Sequence, residues 1–226
     1  MLAARRLLMT LATGAVACMP SAVLATFPAA AAGPAAASAP MATRAVAAPS
    51  DSVRVSQGWV FDALRLPAAW SISKGKGVTV AVLDSGVDPS VNDLSGAVIG
   101  QRDLTLLRTP DSNAHWGEHG TWMASIIDGR GHGFDSTDGI MGVAPEANIL
   151  SIRVIPDKDD PGYKTYEAEP EQAIQDSLAK GIKYAVQQHA AVISMSIGYS
   201  APSAAVRSAL QDAYSRGVVP PAFVLA

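Results

Sequence analysis

The sequence predicts an α/β fold with a mainly parallel β-sheet flanked by helices. Apolar runs of strand length alternate along the chain with helical patterns, which is typical of a parallel sheet with helical crossovers. The first run, residues 78–83, is uncharged and apolar or β-branched, as expected of a strand buried on both faces. It ends in Asp84, at the edge where open α/β sheets place their sites. An isolated Asp-Ser-Gly is more often a turn cap, so other motifs must decide the role of Asp84.

Ordered structure is expected to begin near Gln57, before a short helical piece at residues 67–71. Further helices are predicted where apolar residues recur on one helical face, and strands where short apolar runs follow turn residues. The remaining strands are predicted at 98–99, at 149–155, at 191–196 and from Val218 onwards. The remaining helices are predicted from Gly120 to Gly129, after Pro170, and between a Ser203 cap and Gly217. Loops are predicted at 102–112 (polar), 131–142 (glycine-rich) and 157–166 (charged).

Composition excludes several classes of function. The chain has 226 residues and a formal net charge of -3, without the basic excess that nucleic-acid binding requires. Cys18 is the only cysteine, and cleavage after Ala25 would leave the mature protein with none. Disulfides, thiolate nucleophiles and zinc–cysteine sites are therefore not expected in the mature protein.

The first 25 residues are predicted to be a secretory signal peptide. Arg5 and Arg6 precede an uncharged, mostly apolar stretch at residues 7–18 that is too short to span a bilayer, and small residues lead to Ala25. A membrane anchor is the alternative. Residues 26–56 are rich in Ala and Pro and are predicted to be a flexible linker. The protein is therefore expected to be secreted or held in the cell envelope.

His119 stands in the segment Glu-His-Gly-Thr, directly before the predicted buried helix. His115 lies four residues earlier, a spacing that can bind zinc on a helix, but Gly117 and Gly120 interrupt that helix. A metal-dependent hydrolase is therefore a minor alternative. The other two histidines, at 132 and 189, have no partner that the sequence identifies and are expected to be solvated or structural.

Four motifs in order resemble those of the subtilisin-like serine proteases, the subtilases. They are Val-Ala-Val-Leu-Asp-Ser-Gly at 80–86, Glu-His-Gly-Thr-Trp-Met-Ala-Ser at 118–125, Gly-Val-Ala-Pro at 142–145 and Ile-Ser-Met-Ser-Ile-Gly at 193–198. The resemblance runs from Gly58 to about Val219. It implies a three-layer subtilisin-like fold, incomplete at the C-terminus, and a polypeptide substrate.

The resemblance also implies roles for individual residues. Asp84 would orient His119, and His119 would act as the general base of an Asp/His/Ser triad. Ser196, Ile197 and Gly198 would bind extended substrate backbone, with Gly198 leaving room for a side chain. No catalytic cofactor is expected, although Asp88, Asn92 and Asp93 are candidate ligands for a structural calcium ion.

Two further parts of a subtilase active site have no counterpart in the sequence: the nucleophilic serine in a Gly-Thr-Ser-Met-Ala motif and the oxyanion asparagine. The only Gly-Thr pair, Gly120-Thr121, belongs to the histidine motif. Residues 220–226 are an aberrant tail, since Pro220 and Pro221 do not suit a central strand. The sequence therefore predicts an inactive fragment of a serine endopeptidase, truncated by a frameshift or premature stop, with a non-catalytic, peptide-binding pseudoprotease as the alternative.

Within the family, the layout is similar to the mycosins. The stretch between Ala25 and Gln57 is expected to be too short for a folded pro-domain, and residues 59–70 are expected to lead straight into the catalytic domain. Residues 94–103 also suit that subgroup. The similarity implies association with type VII secretion and a membrane.

Overall fold

A computed structural model of the chain describes residues 52–107, 109–198 and 201–219. The predicted signal peptide, the linker up to residue 51 and the tail at 220–226 lie outside the described residues. The strands are β1 (Thr79–Asp84), β2 (Val98–Asp103), β3 (Arg130–His132), β4 (Asp138–Met141), β5 (Asn148–Arg153) and β6 (Val192–Ser194). The helices are α1 (Ser52–Ala63), α2 (Leu66–Trp70), α3 (Glu118–Asp128), α4 (Tyr163–Glu167), α5 (Glu171–Gln187) and α6 (Ala204–Ser215).

The main sheet confirms the predicted parallel architecture. Its four strands lie in the order β2-β5-β1-β6, and each neighbouring pair is parallel. The predicted last strand is a single parallel bridge between Val219 and Val192. All four strands therefore end at the same edge of the sheet, where Asp84 and Arg153 are direct neighbours.

Side chains that alternate along β1 build a core on each face of the sheet. Val80 and Val82 join a cluster that includes Ala124 of α3, whereas Ala81 and Leu83 join the larger cluster formed with α5 and α6. The result is a helix–sheet–helix sandwich of three layers, as expected for strands buried on both faces.

Helix α1 already includes Ser52, five residues before the point near Gln57 where order was expected to begin. The reason is a set of long-range contacts from α1 to the backbone of β4 and the turn before it. The Arg54 guanidinium donates to the carbonyls of Ser136, Asp138 and Gly139. The Gln57 amide both donates to and accepts from the backbone of Met141. Local sequence cannot reveal partners that lie more than 80 residues away.

Several segments predicted as loops contain regular structure. Residues 131–142 contain most of the antiparallel pair of β3 and β4, β2 continues to Asp103, and the loop at 157–166 runs into α4. His132 has a structural role, one of the two that the sequence allowed, because its Nδ1 lies 2.7 Å from Asp93 Oδ1. The other Asp93 oxygen accepts from the Ile140 N–H. Asp93 thus links the hairpin to the main domain.

The caps of the last helix follow the prediction. The Ser203 side chain accepts a hydrogen bond from the Val206 N–H, and Gly217 adopts a positive φ after the helix end. Within the ranges that the structure describes, no helix has the length and apolar character needed to cross a membrane.

Asp128, at the end of α3, should make the free energy of unfolding depend on pH. Its side chain is fully buried, and this burial raises its pKa from 3.8 to about 6, although Arg130 opposes the shift. Both folded and unfolded chains bind the proton below pH 3.8, whereas above pH 6 only the folded chain holds a buried charge. Asp128→Asn should therefore raise the free energy of unfolding at pH 7 by up to about 3 kcal/mol relative to the wild type.

Denaturant unfolding of both proteins between pH 4 and pH 7 measures this difference. The gain should shrink as the pH falls from 6 towards 4, and it should vanish only below pH 3.8, where Asp128 is neutral in both states. A difference that stays constant across this pH range would contradict the assignment of the raised pKa to Asp128.

Candidate active site

The structure brings together the two residues that the motifs single out. Asp84 ends β1 and is 1% exposed, whereas His119 lies in the first turn of α3 with a side chain that is 38% exposed. Asp84 Oδ1 lies 2.8 Å from His119 Nδ1 and also accepts from the Ser85 N–H at 2.7 Å. The fold thus brings two residues that are 35 positions apart in the sequence into hydrogen-bond contact.

Side chains from two other segments hold the start of α3. The N–H groups of Glu118 and His119 donate to the two carboxylate oxygens of Asp157, at 2.8 and 3.2 Å. The next N–H, of Gly120, donates to Ser85 Oγ at 3.0 Å. These amides have no partner within a helix, so the caps satisfy them and also fix the helix relative to Asp84.

Helix α3 approaches the turn after Asp84 so closely that only glycine fits at the contact. A Cβ atom on Gly120 would lie 2.0 Å from the carbonyl oxygen of Gly86 and 3.2 Å from Asp84 Cβ. Gly86 adopts a positive φ, and a Cβ there would meet the Trp116 ring at 2.7 Å. The glycines of both motifs therefore permit the short distance between the acid and the imidazole.

The electrostatics of the pair combine opposing effects. Burial raises the pKa of Asp84, while the hydrogen bonds from His119 and from the Ser85 N–H lower it in part. Asp84 Oδ2 is buried and has no hydrogen-bond donor among the described residues, which adds to the cost of its charge. The ionised carboxylate can only accept, so it places the ring proton on Nδ1 and leaves Nε2 as the acceptor.

A cleft of about 550 Å³ contains the histidine and the predicted substrate segment. Its lining includes His119, Trp122, Tyr163, Tyr166 and the segment at 196–198. Trp122 stands edge-on to the His119 ring, with centroids 6.3 Å apart. A larger cavity of about 820 Å³ lies beside α5 and α6 and contains none of these residues. The candidate site is therefore assigned to the smaller cleft, because that cleft contains the histidine and the predicted substrate segment.

The geometry does not favour the alternative zinc pair. Helix α3 begins at Glu118, so His115 precedes it and the two histidines do not share a helix face. His115 Nδ1 lies 3.7 Å from a carboxylate oxygen of Glu118. In the described part of the chain, no group of three or more His, Cys, Asp or Glu side chains is placed to hold a metal ion.

Two site residues were missed by the sequence reasoning. Asp157 was assigned to a charged loop, and its capping of α3 has no local signal because its partners lie almost 40 residues away. Ser85 was treated only as part of a turn, yet its hydroxyl caps the same helix. Short polar side chains next to a predicted helix start are the only hint.

Gly120→Ala tests the close approach. Within a helix this change normally stabilises by about 1 kcal/mol, because glycine loses more backbone entropy. Here the new methyl group cannot fit, so the free energy of unfolding should fall by about 3 kcal/mol or more. Gly58→Ala in α1 is the matched control, since nothing lies within 4 Å of a Cβ there. Denaturant unfolding should show opposite signs for the two variants, and stabilisation by Gly120→Ala would contradict the packing described.

The chain is similar to known proteases over a large part of its length. The family description "Subtilase family" matches residues 75–225. Thermitase from Thermoactinomyces vulgaris is 31% identical over 172 residues, which are 76% of this chain and 55% of thermitase. Mycosin-3 from Mycobacterium tuberculosis is 35% identical over 135 residues, covering 59% of this chain and 28% of the mycosin. The crystal structure of MycP1 from Mycobacterium smegmatis matches 72% of this chain and 43% of that chain, at 28% identity and a TM-score of 0.53.

These matches share one further property: the chain spans about half the length of thermitase and less than half of the two mycobacterial proteins. The family match nevertheless extends over most of the chain and includes both members of the Asp84–His119 pair. The chain belongs to the subtilase family of serine proteases.

Proposed function

We propose that this chain supplies the acid–base part of the catalytic triad of a serine endopeptidase. Asp84 orients the imidazole, and His119 is the general base. The observation that carries the proposal is the 2.8 Å hydrogen bond from His119 Nδ1 to a buried carboxylate at the end of a parallel strand. Membership of the subtilase family supports the same assignment.

In the proposed reaction, His119 Nε2 takes the proton of a serine hydroxyl as that oxygen attacks the peptide carbonyl. The imidazolium then returns the proton to the leaving amine. Asp84 holds Nδ1 throughout and stabilises the positive charge on the ring. Asp157 and Ser85 contribute by holding the helix that carries His119.

The nucleophile of that reaction has no match in the 226-residue sequence. The only Gly-Thr pair continues with Trp122, whereas the family motif continues with serine. In subtilisin, itself a member of this family, loss of the serine lowers turnover by a factor on the order of 10⁶. We therefore propose that these 226 residues by themselves do not hydrolyse peptides.

The proposed substrate is an extended polypeptide bound along Ser196, Ile197 and Gly198. The last strand ends at Ser194, so this segment continues past the ladder into the cleft beside His119. A Cβ on Gly198 would meet nothing within 4 Å, which is consistent with open space for a substrate side chain. The aromatic and aliphatic lining of the cleft suits such a ligand.

The leader-like residues 1–25 support export, and we propose a secreted or cell-envelope location. Similarity to mycosin-3 and to MycP1 from the ESX-1 type VII secretion system supports a role beside that machinery, at the membrane. No cofactor is required by the proposed reaction. A second candidate function is peptide binding without catalysis, which the cleft favours because its lining needs no nucleophile to hold a peptide.

The purified 226-residue chain should not turn over a chromogenic peptide substrate, because the hydroxyl nucleophile is missing. The measurement compares release of the chromophore with the uncatalysed background, with thermitase as the positive control. Turnover that a serine-directed phosphonate abolishes would contradict the proposal.

Gly198→Val tests the substrate segment. The change should leave the fold intact but weaken peptide binding about tenfold or more, because the side chain fills space needed by the ligand. Calorimetry with an extended peptide measures both proteins. Gly58→Val is the matched control, since it also adds a side chain where nothing lies within 4 Å. Equal weakening by both variants, or no binding by the wild type, would overturn the assignment.

A further inference from the structure

Arg153, at the carboxyl end of β5, is a guanidinium group that the proposed mechanism does not use. Its side chain is 1% exposed, and burial of such a charge is costly unless its donors are paired. Here each nitrogen has a partner. Nε donates to the Ser85 carbonyl at 3.0 Å, and Nη2 donates to Asp160 Oδ2 at 2.7 Å. Nη1 donates to Asp103 Oδ2 at 2.7 Å and to Thr105 Oγ1 at 3.3 Å. The guanidinium carbon also lies 5.5 Å from the centre of the Trp116 ring.

One set of contacts reaches the acid. Arg153 is the direct neighbour of Asp84 in the parallel ladder between β1 and β5. Its Nε donates to the carbonyl of Ser85, whose own N–H donates to Asp84 Oδ1 and whose hydroxyl caps α3 at Gly120. Arg153 thus holds Ser85, which contacts both the carboxylate and the helix of the histidine.

A second set reaches the histidine through Asp160, which is buried and accepts from Arg153 Nη2. The other oxygen of Asp160 accepts from the Thr109 hydroxyl and the Gly162 N–H. These bonds anchor the loop that contains Asp157, three residues earlier. Asp157 caps the N–H groups at the start of α3, including that of His119.

A third contact is made by the face of the guanidinium, which lies over the Trp116 ring. Trp116 lies two residues before the start of α3 and packs against Gly86, in the turn that follows Asp84. The same cation therefore contacts the segment before the histidine helix as well as the segment after the acid strand.

We infer that Arg153 is a positioning residue that sets the geometry of the Asp84–His119 pair. It connects the turn after the acid, the loop that caps the helix of the base, and Trp116 in the segment that leads into that helix. A planar group with five donors can make these contacts at once, which an ammonium group cannot. The catalytic meaning of the inference rests on the proposed function, whereas the effect on the hydrogen bond itself does not.

The test measures the exchange with water of the proton on His119 Nδ1, by NMR of the 226-residue chain with ¹⁵N-labelled histidine. Asp84→Asn identifies the signal. Arg153→Met has a side chain of similar length but no charge, and it should speed up exchange at His119 Nδ1 about tenfold or more, because opening of the pair becomes easier. The exchange rate of the Val82 amide in β1 is the internal reference, and the acceleration at His119 is expressed relative to any change at Val82. Arg153→Lys keeps the charge without the fork and should fall between the two.

Arg130→Met is the matched control, because Arg130 also contacts a buried aspartate and a backbone carbonyl, but at the other end of α3. It should leave the relative exchange rate at His119 unchanged. An unchanged rate in folded Arg153→Met, or the same acceleration in Arg130→Met, would overturn the inference. Should Arg153→Met fail to fold, Asp160→Asn removes the charged acceptor through which Arg153 holds the Asp157 loop, and it should accelerate exchange several-fold.

The outcomes separate the two proposals. A wild-type chain without a protected Nδ1 proton would argue against the Asp84–His119 pair, and hence against the proposed function. A protected proton that no Arg153 or Asp160 variant affects would argue against the positioning role alone.

Discussion

The hydrogen bond between Asp84 Oδ1 and His119 Nδ1 requires three separate parts of the chain to meet within a few ångströms. The acid comes from the end of a central strand, the histidine from the first turn of α3, and the cap of that turn from Asp157. Gly120 permits the approach, because any side chain there would collide with the Gly86 carbonyl. Most of the local architecture can be understood as a means of keeping this distance short.

That architecture places a charge where the protein is least able to solvate it. Burial raises the pKa of Asp84, and only part of the cost is offset by the hydrogen bonds that it accepts. The unfavourable free energy of burying this charge is offset by the burial of apolar side chains in two clusters, one on each face of the sheet. Sites of this kind commonly hold groups that are unfavourable for folding but suited to proton transfer.

The sequence predicted those features that depend on local pattern. The apolar run before Asp84 identified a buried strand, the apolar face after Gly120 identified a buried helix, and chain order then suggested that the two ends meet. The hairpin of β3 and β4 was not predicted. Its residues favour turns, and contacts from Arg54 and Asp93, far away in sequence, stabilise the pairing. The Arg153 network was missed for the same reason, since Asp103 lies 50 residues away.

The hydrogen bond to Asp84 implies that His119 is oriented with the shared proton on Nδ1. The most direct measurement is the imidazole tautomer of His119, by ¹⁵N NMR of the wild type and of Asp84→Asn. The wild type should carry the Nδ1–H form and the variant should lose that preference, because an amide no longer selects one ring nitrogen. A wild type that favours the Nε2–H form, or a variant with an unchanged tautomer, would contradict it.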